Sequence, residues 1–181
     1  MPPHHGTRVN IPKRILILGV SGAGKTTFAR ELSGKLELPH VELDSLYWGP
    51  NWTPVDKGVF LDRVATVVDQ EHWIAEGDYD WGVDLLKNRS ESIVWIDPPL
   101  SLALAQVFWR TVKRAVRREP TWGGNRETLR SLLLSRKSIL VWTWKSHRMR
   151  RRQYVGTPGI LRLRTRREIQ AQLERLSAPA G

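Results

Sequence analysis

Short apolar runs alternate along this chain with longer segments in which apolar residues recur every three or four positions. The run RILILG at 14–19 is apolar without alternation and ends in glycine, which is typical of a parallel strand buried on both faces. From Lys25 onward the apolar residues recur at intervals of four, which predicts a helix that ends before Pro39. Further apolar runs predict strands at 40–43, 72–77, 92–97 and 159–164.

Helical patterns separate most of these predicted strands. The segment LSLALAQVFWRTVKRAV at 100–116 predicts a long helix that begins apolar and ends basic, and Thr165 with Glu168 predicts a capping box for a final helix. Strands that alternate with helices indicate a parallel sheet covered on both faces. We therefore expect an α/β fold of three layers, with a parallel sheet of about five strands, in a single domain at 13–181 that follows a flexible tail at 1–12.

Two local signals set expectations for the segment after the second strand. Residues 44–52, DSLYWGPNW, are rich in turn formers and aromatics, so we expect a loop. Thr53 before Pro54 predicts an N-cap and the first position of a helix, with Asp56 at the capping-box site.

The segment GVSGAGKT at 19–26 fits the pattern G-x-x-x-x-G-K-[ST] between a predicted strand and a predicted helix. Its glycines let the backbone turn tightly and direct N–H groups at phosphates, Lys25 would reach the β- and γ-phosphates, and Thr26 would offer a hydroxyl to Mg²⁺. The expected ligand is ATP or GTP with Mg²⁺; no guanine-specific Asn-Lys-x-Asp motif is present, so the base stays open. The predicted cofactor-binding residues are Gly19, Ser21, Gly22, Ala23, Gly24, Lys25, Thr26 and Thr27.

Carboxylates follow three of the predicted strands. Asp97 closes SIVWID and would hold the metal with Thr26, or else simply begins a turn before two prolines. Asp44 ends the second strand at the edge where α/β ligands bind, and would act as a base or cap a turn. Glu76 and Asp78 end the third strand, where they would bind the acceptor or lie in a solvated loop.

Aromatic residues are concentrated in the loop after Asp44. Tyr47, Trp48 and Trp52 would stack on a flat acceptor such as a base, or form a small core under the loop. Trp142 and Trp144, on a later helix, are more typical of packing.

Composition excludes some chemistry. The chain has no cysteine, so disulfides, thiolate zinc sites and cysteine nucleophiles are excluded. The first residues contain no apolar signal region and no apolar run reaches the length of a membrane span, so we expect a cytoplasmic protein without a membrane partner.

The net charge of +11 is concentrated in one segment. Residues 110–167 contain 18 Lys and Arg but only two Asp and Glu, so this segment should face an anion such as nucleotide phosphate, nucleic acid or a membrane surface. Arg110, Arg114 and Arg117 share one helix face and would place positive charge on a transferring phosphoryl group, or form a solvated basic face. A denser run, RMRRR at 148–152, would contact the nucleotide or lie in solvent.

The chain resembles the small nucleoside- and nucleotide-kinase branch of P-loop proteins, and more closely bacterial adenylate-kinase-related or DNA topology modulation proteins. The resemblance covers roughly 14–120 through GVSGAGKTTFAREL, ELDSLYW, HWIAEGDYD, SIVWIDPP and the arginines of 110–118. It implies a P-loop NTPase fold with an acceptor-binding region at 44–72 and an arginine-bearing lid at 111–128. It also implies a W-I-x-D-G-N-Y-like motif at Trp73–Tyr79, in which Glu76 replaces Asp and Asp78 replaces Asn.

The favoured interpretation is a kinase that transfers the γ-phosphoryl of ATP to an unidentified small-molecule, nucleoside or nucleotide acceptor. The alternatives are a nucleic-acid-binding protein regulated by nucleotide and a simple NTPase. The predicted catalytic residues are Lys25, Asp44, Arg110, Arg114 and Arg117; the predicted acceptor-binding residues are Asp44, Tyr47, Trp48, Glu76, Asp78 and Tyr79; the predicted metal ligands are Thr26 and Asp97.

Overall fold

The computed structural model describes residues 11–127 and 139–177. The predicted flexible tail at 1–12 therefore falls mostly outside the described residues. Five parallel strands form one sheet, as the sequence pattern predicted, and the structure places them in the order β2-β3-β1-β4-β5. The strands are β1 (Arg14–Leu18), β2 (His40–Glu42), β3 (Trp73–Glu76), β4 (Ser92–Ile96) and β5 (Ile160–Leu163).

Helices cover both faces of this sheet. They are α1 (Lys25–Leu36), α2 (Leu43–Tyr47), α3 (Lys57–Val68), α4 (Val83–Arg89), α5 (Leu100–Arg117), α6 (Ile139–Tyr154) and α7 (Arg166–Ser177). Two 3₁₀ turns add to them, Pro50–Trp52 and Trp122–Gly124.

Each face of the sheet packs into its own apolar cluster, because alternate residues of a strand point to opposite sides. Ile15 and Ile17 of β1 face a cluster that includes Phe28 of α1. Leu16 and Leu18 face the other cluster, which includes Phe60 of α3. Burial on both faces explains why β1 reads as an unbroken apolar run.

The central strand β1 sets the register of the edge that carries the phosphate-binding motif. Ile17 pairs with Glu76 on one side and with Val94 on the other, so β3 and β4 each end within about one residue of the end of β1. The three carboxyl ends therefore meet at one edge of the sheet, where ligands bind in open α/β sheets.

The expected loop at 44–52 is wrong at 44–47, and the expected helix start at Thr53 is wrong. Residues 43–47 form the short helix α2. The helix predicted from Pro54 begins only at Lys57, and its N-cap is Asp56, whose carboxylate accepts a hydrogen bond from the Gly58 N–H at 2.7 Å.

The reason for the late start is a tertiary contact. Pro54 forms an antiparallel bridge with Trp48, and the Val55 N–H donates to the Tyr47 carbonyl at 2.9 Å. These contacts hold the chain extended where a helix would otherwise begin. The capping box at Thr165 and Glu168 is confirmed, since each side chain accepts a backbone N–H of the other residue.

Two glycines of contrasting environment give a stability test. Gly77 follows β3 with φ +142°, and a Cβ there would lie 2.7 Å from the Leu43 Cβ. We expect Gly77→Ala to destabilise the protein by more than about 2 kcal/mol, because it adds both backbone strain and overpacking. The measurement is the free energy of unfolding in denaturant.

The matched control is Gly34→Ala on α1, where a Cβ meets no atom within 4 Å. We expect this change to stabilise the protein by about 0.5–1 kcal/mol, because alanine restricts the unfolded chain more than glycine does. A neutral Gly77→Ala variant would show that the approach of Gly77 to Leu43 is not close.

Candidate functional site

The segment 19–26 forms a tight loop between β1 and α1. Gly19 and Gly22 have φ +145° and +74°, conformations that L side chains rarely adopt. A Cβ at Gly19 would lie 2.6 Å from the Ile96 carbonyl oxygen, and one at Gly22 would collide with the Ala103 carbonyl. The two glycines are therefore required by close backbone contacts with the end of β4 and with α5.

The loop leads directly into α1, which begins at Lys25. The first N–H groups of a helix have no partner within the helix, so this end favours an anion. The Lys25 Nζ donates to the Val20 carbonyl at 3.1 Å, which holds the ammonium over the loop. Ser21 and Thr26 are half-buried, while Gly24 and Thr27 are exposed.

Asp44 lies in the first turn of α2, at the same edge of the sheet. Burial raises the pKa of its carboxyl group, against the hydrogen bond that the Tyr79 hydroxyl donates to Oδ1 and the positive charge of Lys25. Glu76 and Arg110 are also close enough to shift the pKa of Asp44. The structure thus brings together Lys25, Asp44, Glu76 and Arg110, which the sequence places far apart.

Glu76, the last residue of β3, is only 4 % exposed. Its Oε1 lies 3.1 Å from Nε2 of His40 on β2. With Glu42, these residues form a group whose potential ligand atoms all lie within 4.8 Å of one another. The sequence analysis did not predict His40 and Glu42 as site residues. The available signal was their spacing of two within a predicted strand, which places both side chains on one face.

Glu42 itself is held by two other elements. Its Oε1 accepts from Arg30 of α1 at 2.8 Å, and its Oε2 accepts from the Trp122 indole N–H at 2.9 Å. The first of these contacts fixes β2 to α1, and the second fixes it to the 3₁₀ turn after α5.

Asp97 directly follows β4 and is buried. Its Oδ2 accepts from Arg151 Nε at 3.1 Å and from the Arg162 guanidinium, and its Oδ1 lies 3.4 Å from His147 Nε2. Two guanidinium groups already neutralise this carboxylate. Metal binding by Asp97 stays a prediction, and these ion pairs argue against it.

Asp78 is also buried, and desolvation raises the pKa of its carboxyl group. Arg150 Nε lies 3.0 Å from Oδ2, and the Tyr154 hydroxyl donates to Oδ1 at 2.7 Å. Both partners belong to α6, so Asp78 fastens the segment after β3 to that helix. These contacts give Asp78 a structural role in addition to any part in acceptor binding.

The predicted aromatic residues pack against one another. The ring centroid of Tyr47 lies 4.9 Å from that of Trp48, 5.4 Å from that of Phe60 and 4.5 Å from that of Tyr79. Trp48 and Trp52 are 5.6 Å apart. Tyr47 therefore belongs to a small core beside Asp44, as the alternative interpretation had it.

The three arginines of α5 have different surroundings. Arg110 is mostly buried, which lowers its pKa, and its Nε has no hydrogen-bond partner among the described residues. Arg114 forms an ion pair with Glu127 at 2.8 Å, and Arg117 an exposed one with Glu119 at 3.4 Å. Of the three, Arg110 is the one placed to act at Asp44.

The segment predicted as a lid, 111–128, includes the end of a helix and a 3₁₀ turn. Its first part, to Arg117, belongs to α5. Asn125, which is buried, accepts from the Trp52 N–H at 2.8 Å through Oδ1 and donates to the Gly49 carbonyl at 2.8 Å through Nδ2. The turn Trp122–Gly124 and the segment after α2 are thereby joined.

Comparison with known proteins places this architecture. No protein-family model matches the chain. The uncharacterized protein YqaC of Bacillus subtilis (strain 168) is 31 % identical over 107 residues, which cover 56 % of this chain and 58 % of YqaC. A bifunctional pantoate ligase/cytidylate kinase of Synechococcus sp. (strain JA-2-3B'a(2-13)) is 36 % identical over 63 residues, which cover 34 % of this chain and 11 % of that protein. The chain thus spans less than two thirds of either curated relative.

Solved kinase structures share the fold over nearly the whole chain. A gluconokinase from Sinorhizobium meliloti 1021 superposes with a TM-score of 0.54 and 17 % identity, covering 92 % of this chain and 94 % of that one. A shikimate kinase from Bacteroides thetaiotaomicron gives a TM-score of 0.56 and 17 % identity, covering 91 % and 96 %. At this identity the likeness shows that the chain has the fold of P-loop small-molecule kinases. In the described ranges no helix is long and apolar enough to cross a membrane.

The contact between Tyr79 and Asp44 can be tested by titration. The Tyr79 hydroxyl stabilises the ionised form of Asp44, so we expect Tyr79→Phe to raise the pKa of the Asp44 carboxyl group further. Carbon-13 NMR of the side-chain carboxyl groups across a pH series measures this change. The control is Tyr47→Phe in the same aromatic cluster, which should leave that pKa in place. An unchanged Asp44 titration in Tyr79→Phe would contradict the hydrogen bond.

Proposed function

We propose that this protein is an ATP-dependent phosphotransferase that acts on the hydroxyl or phosphate of a small acceptor. One observation carries the proposal: a phosphate-loop lysine, a half-buried carboxylate of raised pKa and a half-buried arginine lie together at the carboxyl edge of the sheet. The kinases that share the fold support the same reaction class. The amide groups of 19–26 and the Lys25 ammonium would bind the β- and γ-phosphates of the nucleotide.

Asp44 is the proposed base. It would accept the proton of the acceptor hydroxyl as that oxygen attacks the γ-phosphorus and the bond to the β-γ bridging oxygen breaks. A raised pKa makes a carboxylate a better proton acceptor, provided that the pH lies above that pKa. Tyr79 would orient the carboxylate through Oδ1 and leave Oδ2 for the acceptor.

Arg110 is proposed to stabilise the negative charge of the transferring phosphoryl group. A guanidinium in a poorly hydrated site interacts strongly with a phosphoryl oxygen, and the Nε of this one has no hydrogen-bond partner within 11–127 and 139–177. Arg114 and Arg117 have carboxylate partners, so any catalytic part for them requires those ion pairs to open.

Mg²⁺ is the metal that this donor set suits. The Thr26 hydroxyl and the carboxylates near Lys25 are hard oxygen ligands, which Mg²⁺ prefers. We propose Thr26 and Glu76 as the residues that would hold the ion, and Asp97 as an ion-pair residue instead. Bound Mg²⁺ would neutralise charge on the phosphates.

The region 44–72 is proposed to bind the acceptor, with the half-buried rings of Trp48 and Trp52 as its aromatic surface and Glu76 as a polar contact. The acceptor's identity is open, and so is the choice of adenine or guanine in the donor. A simple NTPase is the alternative, and it predicts hydrolysis that no acceptor accelerates. A screen of nucleosides, nucleotides, sugars and hydroxy acids with labelled ATP separates the two.

The role of Asp44 has a direct test. We expect Asp44→Asn to lower turnover by about 10²- to 10⁴-fold, because the amide cannot accept the proton. Nucleotide affinity, measured by calorimetry with a non-hydrolysable analogue, should change little, since the phosphate loop is intact. The matched control is Asp84→Asn on α4, an 82 % exposed carboxylate, which should change neither quantity. Equal losses of turnover and nucleotide affinity in Asp44→Asn would count against the base.

The metal assignment is tested by comparing two carboxylates. We expect Glu76→Gln to raise severalfold the Mg²⁺ concentration required for half-maximal nucleotide binding, because the amide loses the charge that attracts the ion. Asp97→Asn should leave that concentration unchanged. It should destabilise the fold by about 1–3 kcal/mol, because Arg151 and Arg162 lose their charged partner but are 40 % and 29 % exposed. The opposite result, a Mg²⁺ effect confined to Asp97→Asn, would restore Asp97 as the ligand.

A further inference from the structure

Helix α6 is strongly basic, and only part of its charge is neutralised within the fold. It contains five Lys and Arg and no Asp or Glu. Arg150 pairs with Asp78 and Asp80, and Arg151 pairs with Asp97. The other three cations are exposed and have no carboxylate partner among residues 11–127 and 139–177; they are Lys145, Arg148 and Arg152.

These three cations lie on one face of α6. Their spacings of three and four residues place them in a row about 10 Å long. They line a shallow groove together with Trp144, and the Arg148 guanidinium lies 5.9 Å from the Trp144 ring centroid. The opposite face of the helix carries Arg150 and Tyr154, which contact Asp78. The row is therefore the outer, solvent-facing side.

Exposed aromatic rings adjoin this row. Trp144, which is 45 % exposed, also lines a second groove between α5 and α6, and Trp109 of α5 lines that groove with 68 % of its surface exposed. Two indole rings in solvent beside three unpaired cations are unusual on a soluble protein, where large exposed aromatics mark an interaction site.

We propose that this outer face, which consists of Trp109, Trp144, Lys145, Arg148 and Arg152, binds a single-stranded nucleic acid. The cations would contact backbone phosphates, and the indole rings would stack on unpaired bases. The charge of the partner follows from the face, which has three free positive charges and no carboxylate on α6. A paired duplex does not expose base faces for stacking, so the rings favour a single strand.

An anionic membrane fits the arrangement less well. Helices that lie on membranes separate an apolar face from a basic face. On α6 the tryptophan and the cations share one face, because Trp144 and Arg148 are one helical turn apart and line one groove with the other two cations. The proposal is also independent of phosphoryl transfer, since none of its five residues belongs to the proposed catalytic site.

The test is fluorescence anisotropy with a labelled oligothymidine of roughly 15 nucleotides, titrated with the full chain at a series of salt concentrations. In the variant Lys145→Gln/Arg148→Gln/Arg152→Gln we expect affinity at low salt to fall at least tenfold. The negative slope of log affinity against log salt concentration should become less steep by about 2, because three phosphate contacts are lost. In Trp144→Ala we expect a loss of about 5- to 100-fold.

Each variant has a matched control. Arg166→Gln/Arg167→Gln/Arg175→Gln removes the same charge from exposed positions on α7 and should retain the affinity and the slope. Trp142→Ala removes an indole that is 55 % exposed on the same helix but lines neither groove. Thermal unfolding followed by circular dichroism verifies that each variant folds. If Trp144→Ala does not fold, the triple charge variant alone tests the proposal.

Three results would overturn the proposal. The first is absence of oligonucleotide binding by the parent chain at low salt. The second is an equal loss of affinity in the α7 control, which would show attraction by net charge alone. The third is binding to vesicles rich in phosphatidylserine, through the same residues, without oligonucleotide binding; that outcome would identify the face as a membrane contact.

Discussion

The close approach of glycine backbone to neighbouring carbonyl groups is the constraint on which this structure depends. Gly19 packs against the end of β4 and Gly22 against α5, at distances that admit no side chain. These contacts fix the path of the phosphate loop and the direction in which α1 leaves it. The strand β1, which leads into this loop, pairs through Ile17 with Glu76 of β3 and Val94 of β4. The last residues of these neighbouring strands therefore lie beside the phosphate loop.

Four carboxylates are gathered at that edge, and burying a charge is costly unless it has a partner. The partners differ in kind. Asp78 and Asp97 are held by arginines from α6 and β5, so their charges are neutralised within the fold. Among the residues that the structure describes, Asp44 accepts a hydrogen bond from a phenol and Glu76 contacts an imidazole. The charges of Asp44 and Glu76 therefore stay available for a ligand. This difference separates the carboxylates that are candidates for catalysis or binding from those that stabilise the fold.

The sequence predicted the features that rest on local pattern and could not predict those that rest on distant partners. The five strands, the loop at 19–26 and the capping box at Thr165 follow from periodicity and short-range hydrogen bonding. The cations that pair with Asp97 come from residues more than 50 positions away, so the local pattern that predicts a metal ligand there does not reveal them. The helix start at Thr53 was wrong for a similar reason, since a bridge from Trp48 to Pro54 overrides the local signal.

The basic segment shows why net charge is a weak guide to function until its partners are known. Its cations have different neighbours. Buried aspartates are neutralised by Arg150, Arg151 and Arg162. Arg114 pairs with Glu127, and Arg110 lies near Asp44. A polyanion is not required to explain any of these. The remaining cations, on the outer face of α6, have no carboxylate partner in the part of the chain that the structure describes, and they lie beside exposed indole rings to which a polyanion could bind. A second ligand is therefore indicated by the residual charge at one surface, and not by the composition of the chain.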